Sequence, residues 1–302
     1  MSPGNRLREL VDRTLEELAK RGIFAEERRE LANGTRVVFS DGTSSCGINF
    51  YHSGRKGFSA VPAGGDARLA GRVREIVLRD TPRLPAGRWT GSDEAGKGDY
   101  MGPLTVAAVE ADRALAGDLA GMGIQDSKNL RNSVLRDIAE SVRSMAAGRY
   151  SVVTVPPLEY NKRLEELRKK GLNSLDLLAQ CHAEALSGLM DRISDPDLVI
   201  IDKFCEEKRI AHLLPQGDYA LQLRVRGESD PAVAAASILA RDAYLKGLDR
   251  ISEEYGIPAV AGSGRPTDIV ARRFTDRFGP DVLYRVAKVH FKNTARVLSL
   301  FG

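Results

Sequence analysis

The chain has 302 residues, 42% of them hydrophobic and 28% charged, with a formal net charge of +4. This is the make-up of an ordinary globular protein, long enough for two domains or for one large domain with an appendage. No apolar run reaches about 18 residues, the opening "MSPGNRLREL" lacks a signal-like apolar stretch, and Cys46, Cys181 and Cys205 are too few and too scattered for a disulfide framework or a zinc site. A cytoplasmic protein without membrane contact is the expectation.

Residues 6–21 place Leu7, Leu10, Val11, Leu15 and Leu18 at helical spacing before Gly22. The stretch "TRVVFSDGTSSCGINFYHSGRKGFSAVP" then predicts a three-stranded meander with turns at Asp41–Gly42 and Ser53–Gly54. A second helix is expected over 66–80. Residues 1–80 thus predict a small α+β domain, and "TPRLPAGRW" over 81–89 reads as a linker. The basic excess lies here. Residues 1–88 hold 16 Lys+Arg against 11 Asp+Glu, a net +5, while the rest holds 29 against 30. An anionic partner suits that third of the chain, although the same excess occurs on proteins that bind no nucleic acid.

From residue 90 to 302 the elements lengthen. Strands are expected over 88–93 and 104–111 around a glycine turn, then at 149–157, 197–204 and 219–229. Helices are expected over 129–146, 174–193 and 232–256. The first two strands are close enough in sequence for an antiparallel hairpin, whereas the later ones alternate with helices. The pattern predicts an α/β mixed sheet flanked by helices.

Three acids sit where buried strands run out. Asp93 follows "RWTGS", Asp202 ends "LVII", and Glu228 follows "LQLRVRG". Glu94 adds a fourth carboxylate. Neighbours on a strand point to opposite faces, so Glu94 joins the others only if the chain bends, which Gly96 and Gly98 would ease. Each acid alone reads equally well as a cap, a turn or a surface ion pair. Together they repel one another unless hard divalent cations, Mg²⁺ or Mn²⁺, lie between them. Two such ions suit phosphodiester displacement.

"GSDEAGKGDYMGPL", "DSKNL" (126–130), "VIID", "RGES" and "AVAAASILARD" (232–242) together resemble the type 2 ribonucleases H. The "GDYMGPL" continuation, "KVHFKNT" (288–294) and the N-terminal extension resemble the ribonuclease HIII group in particular. The resemblance implies a ribonuclease H-like catalytic domain preceded by a TBP-like substrate-binding domain. It also implies endonucleolytic cleavage of the RNA strand of RNA–DNA hybrids with two Mg²⁺ or Mn²⁺ ions, leaving 5′-phosphate ends. By motif, Asp93, Glu94, Asp202 and Glu228 are the catalytic, metal-holding acids. The connection from the fourth acid to the Ala-Ala-Ser helix is one residue shorter than in many relatives, which keeps Asp230 open as a substitute. Ribonuclease HII-like action at single ribonucleotides embedded in DNA, another two-metal nuclease activity, and a non-catalytic nucleic-acid-binding protein are the alternatives.

Further residues fall into place around this reading. Gly96, Lys97 and Gly98 make either a plain turn or a backbone that approaches a 2′-hydroxyl, the group that separates RNA from DNA. Lys128 is either a solvated helix-start lysine or a phosphate contact, and Ser237 either a packing residue or a phosphate contact. His290, next to Phe291, reads as structural. Phe50, Tyr51, Arg55, Lys56 and Phe58 flank the "SGRKG" turn, where Arg55 and Lys56 are expected to touch substrate. A monomer is the default.

Overall fold

The computed structural model describes residues 3–32, 34–53, 57–79, 87–122 and 132–299. The chain divides into two compact units, the first spanning Met1–Leu84 together with Ala120–Gly123 and the second Pro85–Leu119 and Ile124–Gly302. Most of the expected linker, 81–86, lies outside the described residues.

In the first unit, α1 (Pro3–Ala19) and α2 (Ala67–Arg79) flank a four-stranded antiparallel sheet. Its strands are β1 (Phe24–Leu31), β2 (Gly34–Ser40), β3 (Ser45–Ser53) and β4 (Gly57–Gly65), in spatial order β1-β2-β3-β4. Three strands were expected. The additional one, "FAEERREL", is exposed along almost its whole length. It has no apolar face and carries charges, as edge strands do, so alternation could not reveal it. Val37, Phe39, Ile48 and Phe50 are fully buried with Val11, Leu18 and Val73 of the helices. The opposite face of the sheet sets Arg29, Arg36, Asn49 and Val61 directly across from one another on four successive strands.

The second unit is built on a five-stranded mixed sheet of order β7-β6-β5-β8-β9. Its strands are β5 (Trp89–Ala95), β6 (Leu104–Ala111), β7 (Tyr150–Val155), β8 (Leu198–Asp202) and β9 (Ala220–Arg224). Strand β6 runs antiparallel to both of its neighbours, β5 and β7, while β8 and β9 run parallel to β5. This is the expected mixture, because α6 and short helical turns make the crossovers. The helices are α3 (Arg113–Gly121), α4 (Asn132–Met145), α5 (Pro157–Lys169), α6 (Ser174–Met190), α7 (Pro231–Tyr255), α8 (Arg265–Phe278), α9 (Leu283–Val286) and α10 (Lys292–Leu298). No helix among the described residues is long and apolar enough to cross a membrane.

Two helices position the site. Leu177, Leu178, Cys181, Ala185, Leu186 and Leu189 of α6 bury against Val106, Ala108 and Val199 of the sheet. The small-residue start of α7, Ala232 to Ala236, covers the other face at β5. That approach is so close that a Cβ on Gly91 would lie 2.2 Å from the Val233 nitrogen. Backbone cannot step aside as a side chain can. Gly91→Ala should therefore destabilise the protein by about 1–3 kcal/mol, as overpacking does. A urea midpoint equal to that of the wild type would show that the α7–β5 contact is looser than described.

Candidate active site

Strand register brings the first acids together. Ser92 on β5 is level with Ile201 on the parallel β8, so Asp93 and Asp202 are the next residues along two adjacent strands. The strand continues regularly through Glu94 and Ala95, which pair with Val106 and Thr105. The bend expected at Glu94 is absent, and the turn begins at Gly96. Asp93 and Glu94 therefore diverge, as neighbours on a strand must. Asp93 reaches toward α7, where the Ser237 hydroxyl donates to it. Glu94 reaches toward α6, where His182 Nε2 lies 3.2 Å from its Oε2. Lys97 Nζ lies 2.6 Å from its other oxygen, Oε1.

The electrostatics differ accordingly. Burial, and then the Glu94 and Asp202 carboxylates, push Asp93 up to about 8, against the opposing bonds from Ser237 and the Glu94 amide. Burial would also raise Glu94, but the hydrogen bond and charge of His182, helped by Lys97, outweigh it and hold that carboxyl below its usual range. Asp202 turns Oδ1 to the Gly227 amide at 2.7 Å. Each acid is thus held by donors of its own. Among the described residues no three acidic, histidine or cysteine side chains already converge as a ready cation cage.

The donor set is nevertheless one that suits hard divalent cations. It is all oxygen, and Asp93 is kept from ionising by burial and then by its neighbours' negative charge. A divalent cation is the partner that would let Asp93, Glu94 and Asp202 ionise together.

The fourth acid is placed by the turn after β9. Arg226, with φ of 57°, and Gly227 lead into a short 3-10 turn over Gly227–Ser229, which carries Glu228. Gly227 packs on Asp202, whose Cα a Cβ would meet at 3.1 Å. Asp230 is occupied elsewhere. It is fully buried and caps α7, its Oδ1 accepting from the Ala232 and Val233 amides at 2.9 and 3.3 Å. The same oxygen accepts from Trp89 Nε1 at 3.0 Å.

The glycine turn divides its labour. Gly96 has φ of +85°, and a Cβ there would lie 2.2 Å from the Pro103 carbonyl, so fold alone requires glycine. A Cβ on Gly98 meets nothing within 4 Å, so its neighbours in the chain do not explain it. The "KVHFKNT" segment closes onto the following loop. Lys288, fully buried, donates to the Asp99 and Gly102 carbonyls at 2.9 and 2.7 Å, and burial pushes its ammonium down to about 7. His290 stacks on Tyr160 with centroids 5.5 Å apart, and burial lowers it to about 4, so it is neutral at physiological pH.

Arg55, Lys56 and Lys128, expected to contact substrate, lie outside the described residues. His182 was not foreseen. Its signal was present, a polar ring on the apolar stripe of α6 among Leu178, Cys181, Ala185 and Leu189, but such a histidine reads ordinarily as core.

The family model for Ribonuclease HII matches residues 90–294. The chain is 32% identical over 285 residues to Ribonuclease HIII of Exiguobacterium sibiricum, covering 90% of this chain and 91% of that one. It is 36% identical over 214 residues to Ribonuclease HIII of Protochlamydia amoebophila, covering 70% and 69%. The crystal structure of Bst-RNase HIII in complex with Mn²⁺ superposes with a TM-score of 0.67 at 24% identity, covering 97% of this chain and 96% of that one.

Proposed function

The chain belongs to the ribonuclease HII family, alongside the ribonuclease HIII proteins, and from that premise we propose that it is an endoribonuclease cutting the RNA strand of RNA–DNA hybrids. The observation that carries the chemistry is the meeting of Asp93 and Asp202 at the ends of adjacent parallel strands, with Glu94 near enough to raise Asp93. A protein that only bound nucleic acid would gain nothing from negative charge gathered where phosphates must lie.

Asp93, Glu94, Asp202 and Glu228 would hold the divalent ions, Mg²⁺ or Mn²⁺, which when bound activate water and stabilise the leaving oxygen of a phosphodiester. The residues around them do the positioning. Ser237 fixes Asp93, and Gly227 fixes Asp202 through its amide. The open side of Gly98 lets its backbone come close to a 2′-hydroxyl, and Lys97, half exposed, is within the same turn to meet a phosphate. Lys288 holds the shape of that turn from behind. In the first unit, the row of Arg29, Arg36 and Asn49 on the helix-free face of the sheet, with partly exposed Tyr51 one pleat along, supports a substrate-gripping role for residues 1–80.

The test is a panel of three substrates, each with Mg²⁺ and with Mn²⁺. They are a uniform RNA–DNA hybrid, single-stranded RNA, and duplex DNA carrying one ribonucleotide. Cleavage of the hybrid's RNA strand, with single-stranded RNA left intact, is the expected result. An inert hybrid under both metals would overturn the proposal. Preferential cutting at the single ribonucleotide would assign the ribonuclease HII-type specificity instead.

A further inference from the structure

We propose that His182 is a positioning residue for Glu94, and that Ser92, His182 and Glu94 form a chain that presets this carboxylate for a divalent cation; the inference rests on the reading of Glu94 as a cation ligand. The hydrogen bonding fixes the direction of the chain. Ser92 has one hydroxyl proton and directs it to the Ala107 carbonyl at 2.9 Å. Toward His182 Nδ1, 2.8 Å away, the same hydroxyl oxygen can only accept, so Nδ1 carries a hydrogen. The ring plane is fixed independently. It stacks on Phe204 with centroids 4.7 Å apart and an interplanar angle of 9°. Nε2 faces Glu94 Oε2, and because a carboxylate oxygen only accepts, the ring donates there as well.

His182 is completely buried, so water does not compete for its hydrogen bonds in this arrangement. A flexible glutamate is thereby held by one oxygen, and Oε1 faces away from the histidine. There the partner is Lys97, whose side chain is 47% exposed. Glu94 thus has a fixed buried holder on one side and an exposed, replaceable cationic partner on the other. A divalent cation would take the position of Lys97 without disturbing His182. An aliphatic residue would serve packing on α6 equally well, whereas both nitrogens of His182 have polar partners on β5. Outer partners of this kind typically change metal affinity by about 10–100-fold.

The experiment titrates the full-length protein with Mn²⁺ alone, by calorimetry, with no nucleic acid present. His182→Phe keeps a ring against Phe204 but has no nitrogen, and should bind Mn²⁺ about 10–100-fold more weakly. His182→Gln restores an N–H donor and should recover most of the loss, which a purely structural role would not produce. Should His182→Phe fail to fold, Ser92→Ala reports on the same chain by freeing Nδ1, with a severalfold loss expected. Affinity of a folded His182→Phe within about twofold of the wild type, equal weakness of the Phe and Gln variants, or an unchanged Ser92→Ala would overturn the proposal. Glu94→Gln separates the two readings. If it binds Mn²⁺ like the wild type, Glu94 is not a ligand; if it alone loses affinity, only the positioning role fails.

Discussion

Asp93→Asn and Asp202→Asn should each lower cleavage of an RNA–DNA hybrid by about 10³-fold or more while leaving the fold intact, because each removes a ligand charge from chemistry that depends on bound cations. Neither acid supports the core. Asparagine at 202 still offers an oxygen to the Gly227 amide, and asparagine at 93 still accepts from Ser237. The stability of the metal-free protein gives a second, independent readout. Asp93 is raised in the folded state to about 8 from an ordinary 3.8. Between those values the unfolded chain releases the proton and the folded one retains it, so stability falls as pH rises through that window. An asparagine side chain cannot ionise and escapes the penalty. The Asp93→Asn variant should therefore melt higher than the wild type at pH 8 without metal, with the difference vanishing near pH 4. Added Mg²⁺ should raise the melting temperature of the wild type more than that of the variant. Near-normal turnover of either variant in Mg²⁺ would remove the acids from the reaction.

How much of this was legible in the sequence depended on what each residue contacts. Strands β6 and β8 are apolar because both faces are covered, and they were placed closely. The acids were legible because "LVIID" and "TGSDE" put charge at the end of such runs. The opposite faces of Asp93 and Glu94 follow from strand alternation, but where the chain turns did not, since Gly96 and Gly98 are equally good hinges on paper. The positive φ of Gly96 and the Pro103 carbonyl behind it distinguish them. Strand β1 was hidden because an exposed edge strand selects for charge rather than alternation. Helix α5 is not legible because "PLEYNKRLEELRKK" is rich in charge, and its buried residues Tyr160, Leu164 and Leu167 are sparse. The role of His182 required tertiary structure, because its partners Ser92 and Glu94 are 90 and 88 residues away.

The fourth acid is where sequence left two candidates and packing separates them. Glu228 and Asp230 are two residues apart, on a connection one residue shorter than in many relatives. Oδ1 of Asp230 is consumed by the fold. It accepts from two amides at the start of a 25-residue helix and from the indole of fully buried Trp89. Asp230→Ala removes a helix cap, worth about 0.5–2 kcal/mol, and strands a buried N–H, worth about 1–3 kcal/mol. Because the three donors share one acceptor, a combined loss of roughly 2–4 kcal/mol is expected, read as a lowered urea midpoint. Glu228 is only partly buried, follows the Gly227 that packs on Asp202, and closes a turn that strains Arg226 into the left-handed region. Strain of this kind persists where function requires a particular placement. Glu228→Gln should therefore leave the urea midpoint nearly unchanged and lower cleavage by about 10²-fold or more, by loss of a charge in a metal-dependent site. The two variants should separate cleanly, one failing in stability with turnover per folded molecule retained, the other failing in turnover alone. A folded Asp230→Asn with no activity beside a fully active Glu228→Gln would move the fourth ligand to Asp230 and make the α7 cap part of the metal site.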